Sequence, residues 1–510
     1  MATQPQQTSE TFLPEVILGI VSPVGTDLGK TLRSLKAEFE KKNFVFYHIK
    51  LSSLFPSIAD SLNYDQLDST KKYNRTDTYI KFGNFIRDNI GTKSLSVFSI
   101  MEIAEKRATA SKSANGIVYV VDQLKTEDEL ELLREIYGNR FLQISVYSAR
   151  DVRVDNLAKI IAHDNRKRDG NKFRDKAEAL VVRDEDEENI PNGQRVGKIF
   201  QFADVVINDD RSDDGARVED QVRRFVELLF GHNGYSPNHF EYGMYLAHSA
   251  ALRSLDLSRQ VGAAIFRPTG EIAALGSNEV PKAGGGTYWC DDVNDAREFT
   301  WGEDSNDARK AELIEEIIGI LFEKADDLTQ EQKKSIDKSQ FMDALEYGRI
   351  VHAEMSAISD AARLGIGVQN GTLYCTTFPC HMCAKHIVAS GLAKVVFLEP
   401  YPKSLTSDLH PDSVKIEGTS RGGFSKFRAV EFIPFFGITP RRYREFFARG
   451  KRKAASKYRE YNHGAPILMT PNSGPFYATR EGEAVNSLIA KIEDFTKRQK
   501  LVAKKDASEG

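Results

Sequence analysis

Four short, continuously apolar runs punctuate the first 230 positions: Glu15–Val21, Phe44–Lys50, Gly116–Asp122 and Phe141–Tyr147. The stretches between them are polar and of helical length. A run that is apolar at every position, not at every second one, predicts a strand buried on both faces. Strands of that kind alternating with helices predict a parallel sheet covered on both sides. Asp204–Asn208 adds a last short strand, and a helix over about 216–230 closes the domain. Residues 1–14 are polar and are expected to form a flexible N-terminus. The turn-rich Gly231-His-Asn-Gly-Tyr-Ser-Pro237 marks the boundary.

A second pattern then begins. A helix is predicted over about 238–254, and Val261–Phe266 and Glu271–Gly276 flank Arg-Pro-Thr-Gly as an antiparallel hairpin. Residues 282–347 are first Gly-rich, then strongly charged and helical, and read as an insertion; the core pattern resumes at Ile350. Strands are predicted at 371–377 and 394–398. Beyond about 430 the chain is Pro-rich, aromatic and basic, and a helix near 483–500 precedes a polar end. The expected layout is two α/β domains: 15–230, and 238–480 with its insertion, followed by a C-terminal helix and polar tail over 481–510.

Composition narrows the function classes. The 510 residues are 41% apolar and 28% charged with a net charge of −3, which supports two soluble cores and argues against a protein that coats nucleic acid. No apolar run reaches the ~18 residues of a membrane helix. The N-terminus has neither the basic nor the apolar region of a secretory signal. Four cysteines are too few for a disulfide scaffold in a chain of this length. The expected compartment is the cytoplasm.

The candidate chemistry lies in His352-Ala-Glu354 and Pro379-Cys-His-Met-Cys383. Apolar residues recur at helical spacing after each motif, so each sits at a helix entrance. Residues two apart point to nearly opposite sides of a regular helix, and only an irregular first turn lets His352 and Glu354 share a target. Cys380 and Cys383 share one helix face, at the positive helix end that favours thiolates. One imidazole and two thiolates leave a tetrahedral zinc with an open position, the catalytic pattern. Glu354 is then the proton carrier. A Cys-x-x-Cys alone is more often half of a structural zinc site or a redox pair, but there is no second pair to complete such a site. Cys290 is expected to be a loop thiol, Cys375 a strand-core residue, and His381 to face outward.

The combined pattern is the signature of the zinc nucleobase deaminases. Residues from about 238 to 435 resemble the deoxycytidylate deaminase branch of the cytidine deaminase superfamily, through these motifs together with Ser258-Arg-Gln-Val-Gly-Ala-Ala264 and Gly276-Ser-Asn-Glu-Val-Pro281. The resemblance implies a cytidine-deaminase-like three-layer α/β/α domain and a substrate contact at Asn278. A local capping role is the alternative for that residue. Tyr401 is a candidate for packing near the base, with a plain loop aromatic as the alternative. The insertion is longer than a minimal member needs.

Ser22-Pro-Val-Gly-Thr-Asp-Leu-Gly-Lys-Thr31 lies between a strand and a helix, where phosphate-binding loops occur. Gly29, Lys30 and Thr31 match the end of the Walker A pattern. The first glycine is displaced, with Val24 in its place and Gly25 following. Asp122 ends a buried strand and is a candidate Mg²⁺ ligand. Residues 11–230 resemble a P-loop NTPase of the nucleotide-kinase type, which implies ATP or GTP with Mg²⁺ at Gly25, Gly29, Lys30, Thr31 and Asp122; a degenerate loop is the alternative. The charged stretch 164–197, with Arg166, Lys167, Arg168 and Arg174, reads as a lid-like segment or a solvated loop.

Arg441, Arg442, Arg444, Arg449, Lys451, Arg452 and Lys453 interleave with Tyr443, Phe446 and Phe447. Single-stranded nucleic acid or a triphosphate would suit them. An amphipathic helix covering the deaminase domain explains them better.

The domain order resembles the bacterial antiphage deoxycytidine nucleotide deaminases. That resemblance implies deamination of free dCTP or dCMP, a homo-oligomer and an inhibitor, which in relatives can be a small RNA. The alternatives are a polynucleotide deaminase acting on single-stranded DNA or RNA, and a nucleotide-gated sensor with the deaminase as output.

Overall fold

The apolar run Glu15–Val21 forms strand β1, buried at every position, in the computed structural model. The structure describes residues 13–111, 113–185, 187, 190–210, 217–321, 328–337, 339–400, 404–450, 452–460 and 477–509. Two units result: residues 1–241 with 436–510, and residues 242–435.

In the first unit β1 is joined by β2 (Phe44–Lys50), β3 (Gly116–Asp122), β4 (Phe141–Tyr147) and β5 (Val205–Asn208) in the parallel order β2-β3-β1-β4-β5. The helices between them are α1 (Gly29–Lys41), α2 (Leu51–Ser61), α3 (Lys72–Asn89), α4 (Ser94–Thr109), α5 (Glu127–Tyr137), α6 (Arg150–Asp164), α7 (Arg174–Glu185), the single turn α8 (Val196–Ile199) and α9 (Val218–Leu229). Side chains alternate across β1. Ile17 and Val21 enter one core with Phe55, Phe82 and Ile100, whereas Val16, Leu18 and Ile20 enter another with Leu35, Phe39 and Phe225. Truncating a side chain as buried as Phe39 costs about 3–5 kcal/mol.

The C-terminal stretch belongs to this unit, which corrects the expected boundary at 480. Gly437–Ile438 pairs antiparallel with β5, and Phe446 enters the Phe39 core. Helix Tyr477–Glu509 starts earlier and runs further than the sequence suggests, and it places Leu488 and Phe495 in the other core. The basic–aromatic segment is likewise not a cover for the deaminase: Arg441 and Arg442 both reach Asp204 at 3.2 Å. The charged stretch predicted as a lid is partly helix α7, whose Ala177, Leu180 and Val181 pack on Val154, Leu157 and Ile161 of α6.

The second unit opens with most of α10 (His239–Ala251) and builds a sheet from β6 (Gly262–Phe266), β7 (Ile272–Ser277), β8 (Thr372–Thr377), β9 (Lys394–Glu399), β10 (Val414–Ile416) and β11 (Val430–Pro434). The order is β10-β11-β9-β8-β6-β7; β6 is antiparallel to both its neighbours and the rest is parallel. The insertion contributes α11 (Glu298–Trp301), α12 (Ser305–Leu321) and α13 (Gln330–Asp337). Helices α14 (Ala353–Arg363) and α15 (His381–Ala389) share a core with Leu373 and Cys375 of β8. The alternate residue Tyr374 lies against Gly243 of α10, so helices cover both faces.

Candidate active site

The candidate metal ligands stand at two helix starts. His352 is the N-cap of α14 and Cys380 the N-cap of α15, both with extended backbone. The chain therefore turns sharply at each, and the first turn carries Glu354 in one case and Cys383 in the other. Gly276 on β7 sets the position of α14: a Cβ there would lie 2.1 Å from the Ala353 carbonyl oxygen and 2.6 Å from the Ala357 nitrogen. No larger residue permits that approach of helix to strand.

His352 Nδ1 lies 3.4 Å from Cys380 Sγ and 3.3 Å from Cys383 Sγ. All three ligand atoms fall within 4.8 Å of one another, the only such group of three among the described residues. A borderline-soft ion with thiolate and imidazole preference fits this set, and zinc meets that description. Without a metal ion the cluster shares its protons unevenly. Hydrogen bonding from Cys383, with His352 adding to it, pulls the Cys380 thiol down to about 4. The Cys380 contact raises His352 to about 9 and, together with burial, raises the Cys383 thiol, so a metal ion bound here displaces protons from His352 and Cys383. Glu354 is 4% exposed, and burial raises its carboxyl above the usual range, with the Cys380 charge adding to the effect. Cys375 is buried under the site, and burial keeps its thiol protonated. Cys290 is exposed, as expected for a loop thiol.

His352, Glu354 and Cys380 line a cavity of about 300 Å³ that also touches Asp256, Arg259, Asn278, Thr377 and Phe378. The insertion supplies much of the remaining wall, including Glu298, Asn306, Asp307 and Lys310. Lys310 is held by Asp307 and by the Met342 carbonyl, each at 2.8 Å. Sequence reasoning did not single out these wall residues; the unusual length of the insertion was the one signal that pointed to them. Asn278 lines the cavity, but its amide is engaged locally. Oδ1 accepts from the Val261 N–H at 2.7 Å, while Nδ2 donates to Asp256 at 2.8 Å and to the Arg259 carbonyl at 2.7 Å. It fixes the loop before β6 and retains one acceptor lone pair. Tyr401 lies outside the described residues.

Residues 237–399 match the family model described as "Cytidine and deoxycytidylate deaminase zinc-binding region". The C-terminal region holds a deoxycytidylate deaminase domain. The deoxycytidylate deaminase of Enterobacteria phage T4 is 46% identical over 54 residues, which is 11% of this chain and 28% of that enzyme. The mouse deoxycytidylate deaminase is 27% identical over 195 residues, 38% of this chain and 78% of that enzyme. The "Probable deoxycytidylate deaminase" of Drosophila melanogaster is 28% identical over 158 residues, 31% of this chain and 58% of the fly protein. The match thus spans less than a third of the phage enzyme's length. A crystal structure of dCMP deaminase from cyanophage S-TIM5 aligns with a TM-score of 0.22 at 18% identity, covering 39% of this chain and all of that one.

The predicted phosphate loop of the first unit is arranged differently from expectation. Gly25 has φ +90° and stands where a Cβ would lie 2.6 Å from the Arg153 carbonyl oxygen, so glycine is needed there. Ser22 to Gly29 line a second cavity together with Asp122, but Lys30 and Thr31 do not. Lys30 is exposed, and the Thr31 hydroxyl is buried without a partner. Two loop amides are already taken by carboxylates: Val24 N–H donates to Asp184 at 2.6 Å and Gly29 N–H to Asp27 at 2.9 Å. No residue of the basic block 166–174 lines this cavity. Among the described residues, no helix is long and apolar enough to cross a membrane.

Proposed function

We propose that this chain hydrolytically deaminates a free deoxycytidine nucleotide, dCMP or dCTP, to the deoxyuridine form. The observation that carries the reading is the convergence of His352, Cys380 and Cys383 within 4.8 Å, with His352, Cys380 and the buried Glu354 lining one cavity. His352, Cys380 and Cys383 would hold a zinc ion, which would supply Lewis-acid activation of water.

The chain's own groups do the remainder. Glu354 accepts a proton from the attacking water and gives it to the ring nitrogen, then takes the second proton from the added hydroxyl and gives it to the departing amine, a relay to which its raised affinity for protons suits it. The balance is simple: the C4–N bond breaks, a C4–O bond forms, and water is consumed as ammonia leaves. Asp256, Asn278 and Arg259 hold the loop at the cavity edge, and the insertion supplies part of the cavity wall. The net charge of −3 also favours a free nucleotide over a polymer.

The resemblance in domain order supports a role in depleting dCTP during phage infection. The deciding experiment incubates zinc-loaded protein with deoxycytidine, dCMP, dCTP and single-stranded DNA and follows uracil formation. Conversion of dCMP or dCTP is expected. Conversion of the polymer alone would overturn the proposal in favour of a polynucleotide deaminase.

A further inference from the structure

The wall that the insertion adds to the deaminase cavity is built around a buried cation. Lys310 stands in the second turn of α12, and its side chain is 5% exposed, whereas that of its ion-pair partner Asp307 is 66% exposed. Nζ donates to Asp307 Oδ1 and to the Met342 carbonyl, each at 2.8 Å. A lysine ammonium carries three N–H donors, so one is left over. Lys310, Asp307 and Met342 all line the cavity, so that donor is available to a ligand there.

The position of this cation is set before a ligand arrives. Asn306, four positions earlier on α12, donates Nδ2 to the Ala344 carbonyl at 2.8 Å and accepts the Tyr347 N–H at 3.2 Å. Asn306 thus ties α12 to the segment that leads back to α14, and Lys310 bridges the same two stretches through Met342. A donor held in this way loses little freedom on binding.

Charge tells what the donor is for. Asp256, Glu298, Asp304 and Asp343 also line the cavity, so most of its wall repels a phosphate group. Among the described lining residues, the lysine and arginine cations are Lys310 and Arg259. Arg259 lies against both carboxylate oxygens of Glu399, at 3.2 and 3.3 Å, and is itself 46% exposed. Lys310 is the reverse case: the cation is out of water while its carboxylate partner is in it. An exposed partner screened by solvent holds a cation weakly, and a desolvated cation attracts a ligand anion more strongly than a hydrated one.

We infer that Lys310 is a specificity-determining residue: it donates its remaining N–H to a phosphate oxygen of the deoxycytidine nucleotide and so selects nucleotides over the bare nucleoside. The inference rests on the nucleotide-deaminase reading proposed above and names the residue of the insertion that recognises the phosphate. Because the neighbouring wall is acidic, the phosphate has no equivalent seat beside it, and loss of this cation is felt in binding and not in the chemical step.

Competitive inhibition by the two possible products separates this role from a structural one. Inhibition constants for dUMP and for deoxyuridine are measured on the zinc-loaded full chain, against whichever substrate it turns over. Lys310→Met should raise the constant for dUMP at least tenfold and leave that for deoxyuridine within twofold, with zinc content unchanged. Lys310→Arg should recover part of the loss. Asp307→Asn removes the exposed counter-charge and should tighten dUMP at least twofold without affecting deoxyuridine; it reads the same interaction should Lys310→Met misfold. An equal loss for both products in Lys310→Met, weaker dUMP binding in Asp307→Asn, or a wild-type chain inhibited equally by both products would each overturn the inference. Turnover of single-stranded DNA alone would instead overturn the proposed function, and the same constants, read against that substrate, would still decide on Lys310.

Discussion

Arg107 and Glu481 are 374 positions apart, yet they form a two-pronged ion pair, with Nη1 to Oε2 at 2.7 Å and Nη2 to Oε1 at 2.9 Å. The same guanidinium holds Glu15 on β1 at 2.8 and 3.0 Å. The phenol of Tyr137 bonds Glu481, and those of Tyr119 and Tyr477 bond Glu15. One cation therefore satisfies two buried carboxylates and fastens the C-terminal helix to the first strand.

Removing the cation leaves both carboxylates buried and uncompensated. Arg107→Met is expected to destabilise the first unit by about 3 kcal/mol, the lower end for a broken buried pair because the arginine is partly exposed. Urea unfolding followed by fluorescence would measure it, with early proteolytic release of the C-terminal helix as a second readout. An unchanged midpoint would show that the network is dispensable.

Gly276→Ala places a methyl group against the α14 backbone at 2.1 Å. The helix must shift, and His352 and Glu354 shift with it. Zinc affinity should fall at least tenfold in chelator competition, while far-UV circular dichroism stays close to wild type. Retained affinity would mean that the strand gives way in place of the helix.

Glu354→Gln keeps the shape of the side chain but cannot carry a proton. Turnover is expected to fall by at least a hundredfold with one zinc still bound per chain, as read by elemental analysis. A variant that kept near wild-type turnover would remove Glu354 from the reaction.

Asp209 supplies a pH dependence. Burial raises its carboxyl to about 6, against the attraction of Lys30. Because its affinity for a proton is greater in the folded state than in the unfolded one, its favourable contribution is complete below the ordinary carboxylate value near 3.8 and is lost as pH rises through 6. Asp209→Asn should therefore raise the melting temperature at pH 7.5 and leave it nearly unchanged at pH 4. A gain of equal size at both pH values would show that the effect is not electrostatic.

β1 to β9 lie within a residue or two of the expected positions, and burial on both faces writes the continuous apolar run of a strand such as Gly116–Asp122. β2, expected to be buried likewise, lies at the sheet edge and is buried only at Phe44 and Ile49. The His352, Cys380 and Cys383 cluster was legible because its members sit at helix starts whose periodicity is local. The boundary at 480 was misjudged for the opposite reason: Arg441, Arg442 and Glu481 find their partners at Asp204 and Arg107, and nothing in their own neighbourhood reports a partner hundreds of residues away. The phosphate loop shows the same limit. Its glycines and Lys30 were visible, but the carboxylates of Asp184 and Asp27 that occupy its amides were not, nor was the direction taken by Lys30.

The C-terminal helix also imposes an order on biosynthesis. Its Glu481, Leu488 and Phe495 complete a core that begins at Glu15, yet they leave the ribosome only after the entire deaminase domain has been made. At cellular elongation rates the ~240 residues between Glu241 and Tyr477 take about 10–50 s to translate. Through that interval the first sheet waits with an open seam, so a nascent chain can complete its catalytic domain before its N-terminal one.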